Sequence, residues 1–340
     1  MMQIVILFIG FILLMKGADF FVDGACAIAK RFGISEMVIG LTIVAMGTSL
    51  PEAAVSLAAA WKGNADISVG NVVGSNILNI LIILGITSVI TELMIQKNTI
   101  RYEMPFLILI TAVLLFMGMD GKIAFYEGII LWILFLVYLG YLFKISKAET
   151  TDRIEISNQT EAKTTVSTKI ENIDSIKPED IGLIKTDFEN KQGMSVLKSI
   201  VFPWIGLVMI IVGSNFAVDA ASSIARLIGL SERFIGLTIV ALGTSLPELV
   251  TSVTAARKGS ADIAIGNIVG SNIFNILFVL GTTALIISVP FQIQFRVDTM
   301  IAVGAAVLLW ICSMRNCRLG RKAGTVMLLA YAGYFAYLLK

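Results

Sequence analysis

The sequence predicts an all-α membrane protein: ten transmembrane helices in two inverted five-helix repeats, with core helices broken at mid-span. Three observations predict it: an apolar composition, an internal duplication, and a proline followed by a glutamate inside one apolar span of each copy. The chain has 340 residues, 57% hydrophobic and only 15% charged, with a mean hydropathy of +0.88. That is far more apolar than a soluble domain. Several apolar runs exceed the roughly 18–20 residues needed to cross a hydrocarbon core of about 30 Å. Membrane lipid is therefore the expected surrounding. The formal net charge of +2 is too small to suggest a polyanionic partner, and no basic patch interleaved with aromatics points to nucleic acid.

The duplication sets the architecture. Residues Gly40 to Gly85 read GLTIVAMGTSLPEAAVSLAAAWKGNADISVGNVVGSNILNILIILG, and residues Gly236 to Gly281 read GLTIVALGTSLPELVTSVTAARKGSADIAIGNIVGSNIFNILFVLG. They align without a gap, residue 236 answering residue 40, and 32 of 46 positions are identical by direct count. Each copy carries five apolar spans. The first five lie near 3–30, 36–60, 67–91, 103–119 and 125–145, the second five near 199–226, 233–256, 263–289, 297–314 and 322–339. An odd number of crossings turns the second copy upside down, about a pseudo-two-fold axis in the membrane plane.

The first repeat thus occupies 1–147 and the second 198–340, joined by a polar linker, 148–197, rich in Thr, Ser, Glu and Lys. Such a composition is flexible or only locally helical. Its acidic residues lack the spacing and turn glycine of a calcium loop. With the N-terminus outside, twelve short-segment basic residues fall inside and six outside. The positive-inside bias then puts both termini outside a cell membrane and the linker in the cytoplasm. The first apolar run lacks a basic leading region and a small-residue cleavage site, so it reads as the first membrane helix.

Histidine is absent, which removes imidazole metal sites and Ser-His or Cys-His catalysis. With no basic residue near Ser49 or Ser245 to activate a nucleophile, an enzyme is not expected, nor any bound cofactor. The three cysteines, Cys26, Cys312 and Cys317, form no CxxC pair and read as small apolar residues.

The informative residues lie within the spans. Glu52 and Glu248 each end the hexapeptide GTSLPE. A charge at mid-membrane costs roughly 2.5–3.5 kcal/mol on insertion scales, so each carboxylate requires a cation, a proton or a polar cavity. Pro51 and Pro247 cannot donate a backbone hydrogen bond, so each helix is expected to break just before its glutamate. The break is expected to bare carbonyls such as those of Ala45 and Ala241. Irregular backbone at that depth survives only where it lines a cavity or is buried in protein. Thr48, Ser49, Thr244 and Ser245 add hydroxyls one turn earlier. Carboxylates, hydroxyls and bare carbonyls together suit hard cations such as Na⁺ and Ca²⁺.

The next span carries GNVVGSNILN (Gly70 to Asn79) and GNIVGSNIFN (Gly266 to Asn275). Ser75 and Asn79, like Ser271 and Asn275, stand four residues apart on one helix face and are expected to contact a cation. Asn71 and Asn267 fit cation contact and helix-to-helix glue equally. Gly70, Gly74, Gly266 and Gly270 give GxxxG spacing for close helix approach. In the first span, Lys16 and Asp19 are spaced to pair with each other. Asp19 and Asp23 are expected to face the headgroups, with an access path as the alternative.

The paired GTSLPE and GN(V/I)VGSN segments resemble the two alpha repeats of the sodium/calcium exchangers, within the calcium:cation antiporter superfamily. The resemblance covers both halves and leaves out only the linker. It implies ten helices, with helices 2, 3, 7 and 8 forming an ion-binding core against which helices 1 and 6 slide. It makes Glu52 and Glu248 the shared ligands of calcium and sodium, with Thr48 and Thr244 beside them at the calcium position. It assigns Ala45, Ser49 and Ser75 to one sodium site, Ala241, Ser245 and Ser271 to its counterpart, and Asn79 and Asn275 to the middle. Asn275 departs from relatives with aspartate there, including the potassium-dependent branch, which weakens the case for potassium co-transport. The implied activity is exchange of Na⁺ for Ca²⁺. From the residues alone a proton/calcium antiporter stays open, as does, in another class, a passive cation channel.

Overall fold

A computed structural model describes residues 2–167, 196–227, 241–314 and 316–338. Much of the linker and the expected start of the seventh span, 233–240, lie outside the described residues. The helices are α1 (Met2–Phe32), α2 (Glu36–Thr48), α3 (Leu50–Trp61), α4 (Ala65–Ile90), α5 (Thr99–Asp120) and α6 (Phe125–Ser167) in the first copy. The second copy holds α7 (Val196–Leu227), α8 (Ala241–Thr244), α9 (Leu246–Arg257), α10 (Ala261–Ile286), α11 (Ile293–Met314) and α12 (Arg321–Leu338). Among the described residues seven helices are long and apolar enough to cross a membrane, and the bent pair α2–α3 makes an eighth. The last helix, α12, stands where the tenth span is expected but is not one of them. Beyond 147, α6 continues as helix to Ser167.

Layering follows from which helices avoid lipid. In α10, 94% of the most apolar stretch is buried, and in α4 72%, against 28% in α1. The two GSN helices are therefore the centre. Small residues bring their neighbours close: a Cβ on Gly270 would lie 2.7 Å from the Leu41 carbonyl and 2.8 Å from the Ala45 Cβ. The expected close approach holds at Gly266 and Gly270. At Gly74 an added Cβ meets nothing within 4 Å, and residues 236–240, the repeat counterpart of the α2 segment contacted by Gly266 and Gly270, lie outside the described residues.

Helices α1 and α7 pack backbone to backbone. A Cβ on Gly17 would stand 2.8 Å from the Gly206 carbonyl, and one on Gly213 would stand 2.8 Å from the Gly10 carbonyl. Gly10 answers Gly206 in the repeat, and Gly17 answers Gly213. Contact this close, reinforced by buried Leu14, Phe21, Leu207 and Ile210, couples the two helices into one unit.

Two small antiparallel ribbons tie the copies together. Strand β1 (Leu93–Met94) pairs with β4 (Arg318–Leu319), in register Leu93 to Leu319. Strand β2 (Lys122–Ile123) pairs with β3 (Val289–Pro290), in register Ile123 to Val289. β3 is the repeat counterpart of β1, and β4 of β2, so each ribbon joins unlike members of the two copies. Leu93, Ile123, Val289 and Leu319 are all fully buried, which anchors ribbons too short to persist alone.

Candidate functional site

The site is built at the two proline breaks. Between α2 and α3 the chain turns at Ser49 (φ −84°, ψ 7°), and the two helices meet at 48°. Pro51 sits in the first turn of α3, where its missing N–H costs nothing. The second copy repeats this, with Ser245 (φ −93°, ψ 5°) between α8 and α9 and Pro247 in the first turn. Glu52 and Glu248 thereby fall in the first turns of α3 and α9, where the positive end of the helix dipole favours a carboxylate.

The expectation that the break bares the Ala45 carbonyl is not met. That oxygen keeps its helical bond from the Ser49 N–H (3.0 Å) and accepts from the Ser271 hydroxyl (3.3 Å) and, weakly, the Thr48 hydroxyl (3.4 Å). The physical reason lies in register: proline at 51 leaves position 47, four residues back, without its donor. In the second copy the corresponding carbonyl, Gly243, accepts from Ser214 (2.8 Å), a residue the sequence gave no reason to single out. The side chain of Ala241 lies outside the described residues.

The two copies cross-pair. Ser49 donates to Glu248 Oε1 (2.9 Å), and Ser245 donates to Glu52 Oε1 (3.2 Å). Both glutamates are fully buried, and the second oxygen of each, Oε2, has no hydrogen-bond partner. Each carboxylate is thus held by one oxygen and bare at the other. Among the described residues no group of three His, Cys, Asp or Glu side chains comes together, so further ligands drawn from them are neutral oxygens.

Neutral oxygens come from α4 and α10. Asn76 and Asn272 donate to each other's backbone carbonyls, both at 3.1 Å. Their side-chain oxygens accept from Asn275 (3.2 Å) and Asn79 (2.9 Å) respectively. With both Nδ2 groups committed to that clamp, the Oδ1 atoms of Asn79 and Asn275 are left buried and without a partner. Asn79 and Asn275 also open short π-helical segments, Asn79–Leu84 and Asn275–Leu280, a distortion frequent at functional sites. The clamp was legible only as a repeated Asn in GSN, and sequence reasoning left Asn76 and Asn272 out of the site.

Asn71 and Asn267 hold helices together, Asn71 within its own copy and Asn267 also across to the other. Asn71 donates to the Glu52 carbonyl (3.1 Å) and Ser56 (2.9 Å), and Asn267 to the Glu248 carbonyl (3.4 Å) and Ser252 (2.9 Å). Asn267 also accepts from Thr48 (3.0 Å). Of the other expected residues, Thr48, Ser49, Ser75, Ser245 and Ser271 are buried, while Thr244 is half-buried.

That difference marks an asymmetry in access. A cavity of about 450 Å³ reaches Thr244, Pro51 and Leu50 between α3 and α7, with Asp219 among its lining residues. The counterparts of its lining include Ala18, Val22, Thr48 and Thr251, each fully buried. A larger cavity of about 630 Å³ lies on that side, lined by Met15, Asp19, Ile86 and residues from Leu249 to Lys258, but it includes neither Thr48 nor Thr251. The cavity on one side thus reaches an expected site residue, Thr244, and the cavity on the other stops short of its counterpart, Thr48; the first side is open and the second sealed in that sense. Asp19 and Asp23 do not simply face outward: both pair with Lys258, whereas no ion pair joins Lys16 to Asp19.

Lipid-length helices around buried carboxylate and amide oxygens define a multi-pass membrane protein. Residues 2–144 and 198–340 match the family described as sodium/calcium exchanger protein, and the chain belongs to that family. It is 37% identical to the putative antiporter CaxA of Alkalimonas amylolytica over 96% of this chain and 95% of that one. It is 33% identical to the sodium/calcium exchanger MaX1 of Methanosarcina acetivorans, covering 98% and 97%. A solved structure of the sodium-calcium exchanger NCX_Mj, soaked with zero Na⁺ and Ca²⁺, superposes with a TM-score of 0.79 at 31% identity, covering 99% and 98%.

Proposed function

We propose that this chain is a secondary active antiporter that exchanges Na⁺ for Ca²⁺ by alternating access. The observation that carries the reading is a set of four buried oxygens with no hydrogen-bond partner: Glu52 Oε2, Glu248 Oε2, Asn79 Oδ1 and Asn275 Oδ1. They come from matched positions in the two copies, and all are acceptors. Buried acceptors without donors are costly, and two carboxylates among them ask for positive charge. Oxygen-only ligands select hard cations. Family membership and the relatives' names support the same reading, and the family is one of transporters rather than enzymes.

In this reading Glu52 and Glu248 ligate both ions, with Asn79 and Asn275 opposite them and the Thr48 and Thr244 oxygens completing the calcium position. Ser49 and Ser75 with the Ala45 carbonyl, and Ser245 and Ser271 with that of Ala241, form the flanking sodium positions. The ten spans form inverted repeats of 1–147 and 198–340, with the linker 148–197 cytoplasmic and both termini outside. The accessible cavity at Thr244 then opens outward.

The charge count supplies the coupling. One Ca²⁺ or two Na⁺ neutralise the two glutamates, while the empty site keeps about two negative charges. Carrying an uncompensated buried pair through a sealed intermediate is expensive. The loaded protein therefore switches readily and the empty one slowly, which enforces exchange. The test is radioactive calcium uptake into proteoliposomes loaded with sodium, potassium or acidic buffer and diluted into sodium-free medium. Uptake from sodium-loaded vesicles alone supports exchange. Uptake driven by a proton gradient alone moves the protein to proton coupling, and uptake without any counter-gradient makes it a channel.

A further inference from the structure

On the sealed side a lysine and an aspartate, Lys258 and Asp19, line the cavity that stops short of Thr48. Lys258, in the turn after α9, places Nζ 2.8 Å from Asp23 Oδ1 and 3.1 Å from Asp19 Oδ1. It also donates to the Asp19 carbonyl at 3.2 Å. Asp19 and Asp23 stand four residues apart on α1, so they present one face to the lysine. Lys258 rides on the segment that carries Glu248, whereas the aspartates ride on the α1–α7 unit. The ion pairs therefore cross the boundary between the site-bearing helices and the paired helices beside them.

The repeat places the same parts on the open side. Lys62 answers Lys258 and Asp219 answers Asp23, but Asn215 stands where Asp19 would be. Asp219 and Asn215 line the open cavity, Lys62 is exposed, and no ion pair joins Lys62 to Asp219. Corresponding machinery, one carboxylate short on the open side, is thus engaged at one end and disengaged at the other, matching which end is sealed.

We propose that Lys258 and Lys62 are alternating latches: Lys258 on Asp19 and Asp23 closes one access path, and its release lets Lys62 close the other on Asp219. This rests on the alternating-access reading. The latches are unequal, because one lysine meets two carboxylates and the other meets one carboxylate and an amide. The Asp19/Asn215 difference biases the ion-free protein toward the arrangement described here. An exposed or half-exposed ion pair is worth at most about fivefold in a two-state ratio, enough to set a resting preference without locking the carrier.

The test uses the full-length protein with Cys26, Cys312 and Cys317 replaced by alanine and Val22→Cys added as a reporter, since Val22 is fully buried on the sealed side. Maleimide labelling of the purified, ion-free protein reads how often that side opens. Lys258→Met should raise the labelling rate by up to about fivefold for each pair removed. Asn215→Asp, at an exposed position of the opposite latch, should raise it by up to about fivefold as well. The proposal requires both to shift the rate upward; any other pattern overturns it. Sodium-driven calcium uptake by the unsubstituted protein is measured in parallel. Its presence with unchanged labelling refutes the latches alone, and its absence refutes the exchange reading beneath them.

Discussion

Glu248→Gln separates charge from shape at the centre of the site. Glutamine keeps an Oε1 to accept from Ser49, now at 2.9 Å, but replaces the bare Oε2 with an amide donor. The cation loses one ligand and one charge and meets two N–H groups instead. At an effective dielectric of about 20, unit charges 4 Å apart attract by about 4 kcal/mol, so Ca²⁺ forfeits about 8 and Na⁺ about 4. Dehydration of the ion offsets much of that gross attraction. Yet a micromolar site is worth only about 8 kcal/mol in all, so calcium binding cannot survive even half the loss. The expected outcome is a calcium affinity at least a thousandfold weaker, about 4 kcal/mol, with sodium binding weakened less.

Two readouts check this. Sodium-driven calcium uptake should be lost, and calcium should cease to raise the melting temperature, whereas in the parent protein a hundredfold excess over Kd adds about 2.7 kcal/mol. Without ions, the variant should melt no lower than the parent, because one of two buried like charges is gone while the Ser49 bond persists. Calcium uptake within threefold of the parent rate would refute the reasoning.

Three further outcomes follow from the packing and the hydrogen bonds. Gly206→Ala puts a Cβ 2.5 Å from the Phe21 amide nitrogen and 2.6 Å from the Gly17 carbonyl, so it should cost about 1–3 kcal/mol in thermal stability. Gly304→Ala, which meets nothing within 4 Å, should be near neutral, and equal effects would refute the close α1–α7 packing. Asn272→Ala removes the acceptor of Asn79 and the donor to the Asn76 carbonyl; it should raise the half-saturating calcium concentration tenfold or more by freeing the Asn79 side chain, about 1–3 kcal/mol for the unpaired groups. Asn71→Ala, at a glue position on the open side, should lower stability by about 1 kcal/mol while shifting calcium affinity less than Asn272→Ala does.

The duplication made most of this legible. Because the two copies share GTSLPE and GSN segments, the broken helices and the buried glutamates could be placed before any coordinates. What stayed hidden depends on contacts between copies. No local signal says that Ser49 serves the opposite glutamate rather than its own, or that Asn76 and Asn272 clamp each other. The Ala45 carbonyl was misread because a proline frees the oxygen four residues back, at 47, and a neighbouring hydroxyl can still claim the one at 45. Nothing local to Lys258 points to its partners, which lie over 230 residues away in sequence.

The central claim is that Glu52, Glu248, Asn79 and Asn275 hold calcium and sodium in competition. Crystals soaked in strontium, with and without sodium, test it most directly through the anomalous scattering of the divalent ion. One principal strontium peak is expected among those four oxygens, weakening as sodium rises. A peak elsewhere, or one at this position that sodium leaves unchanged, would contradict it.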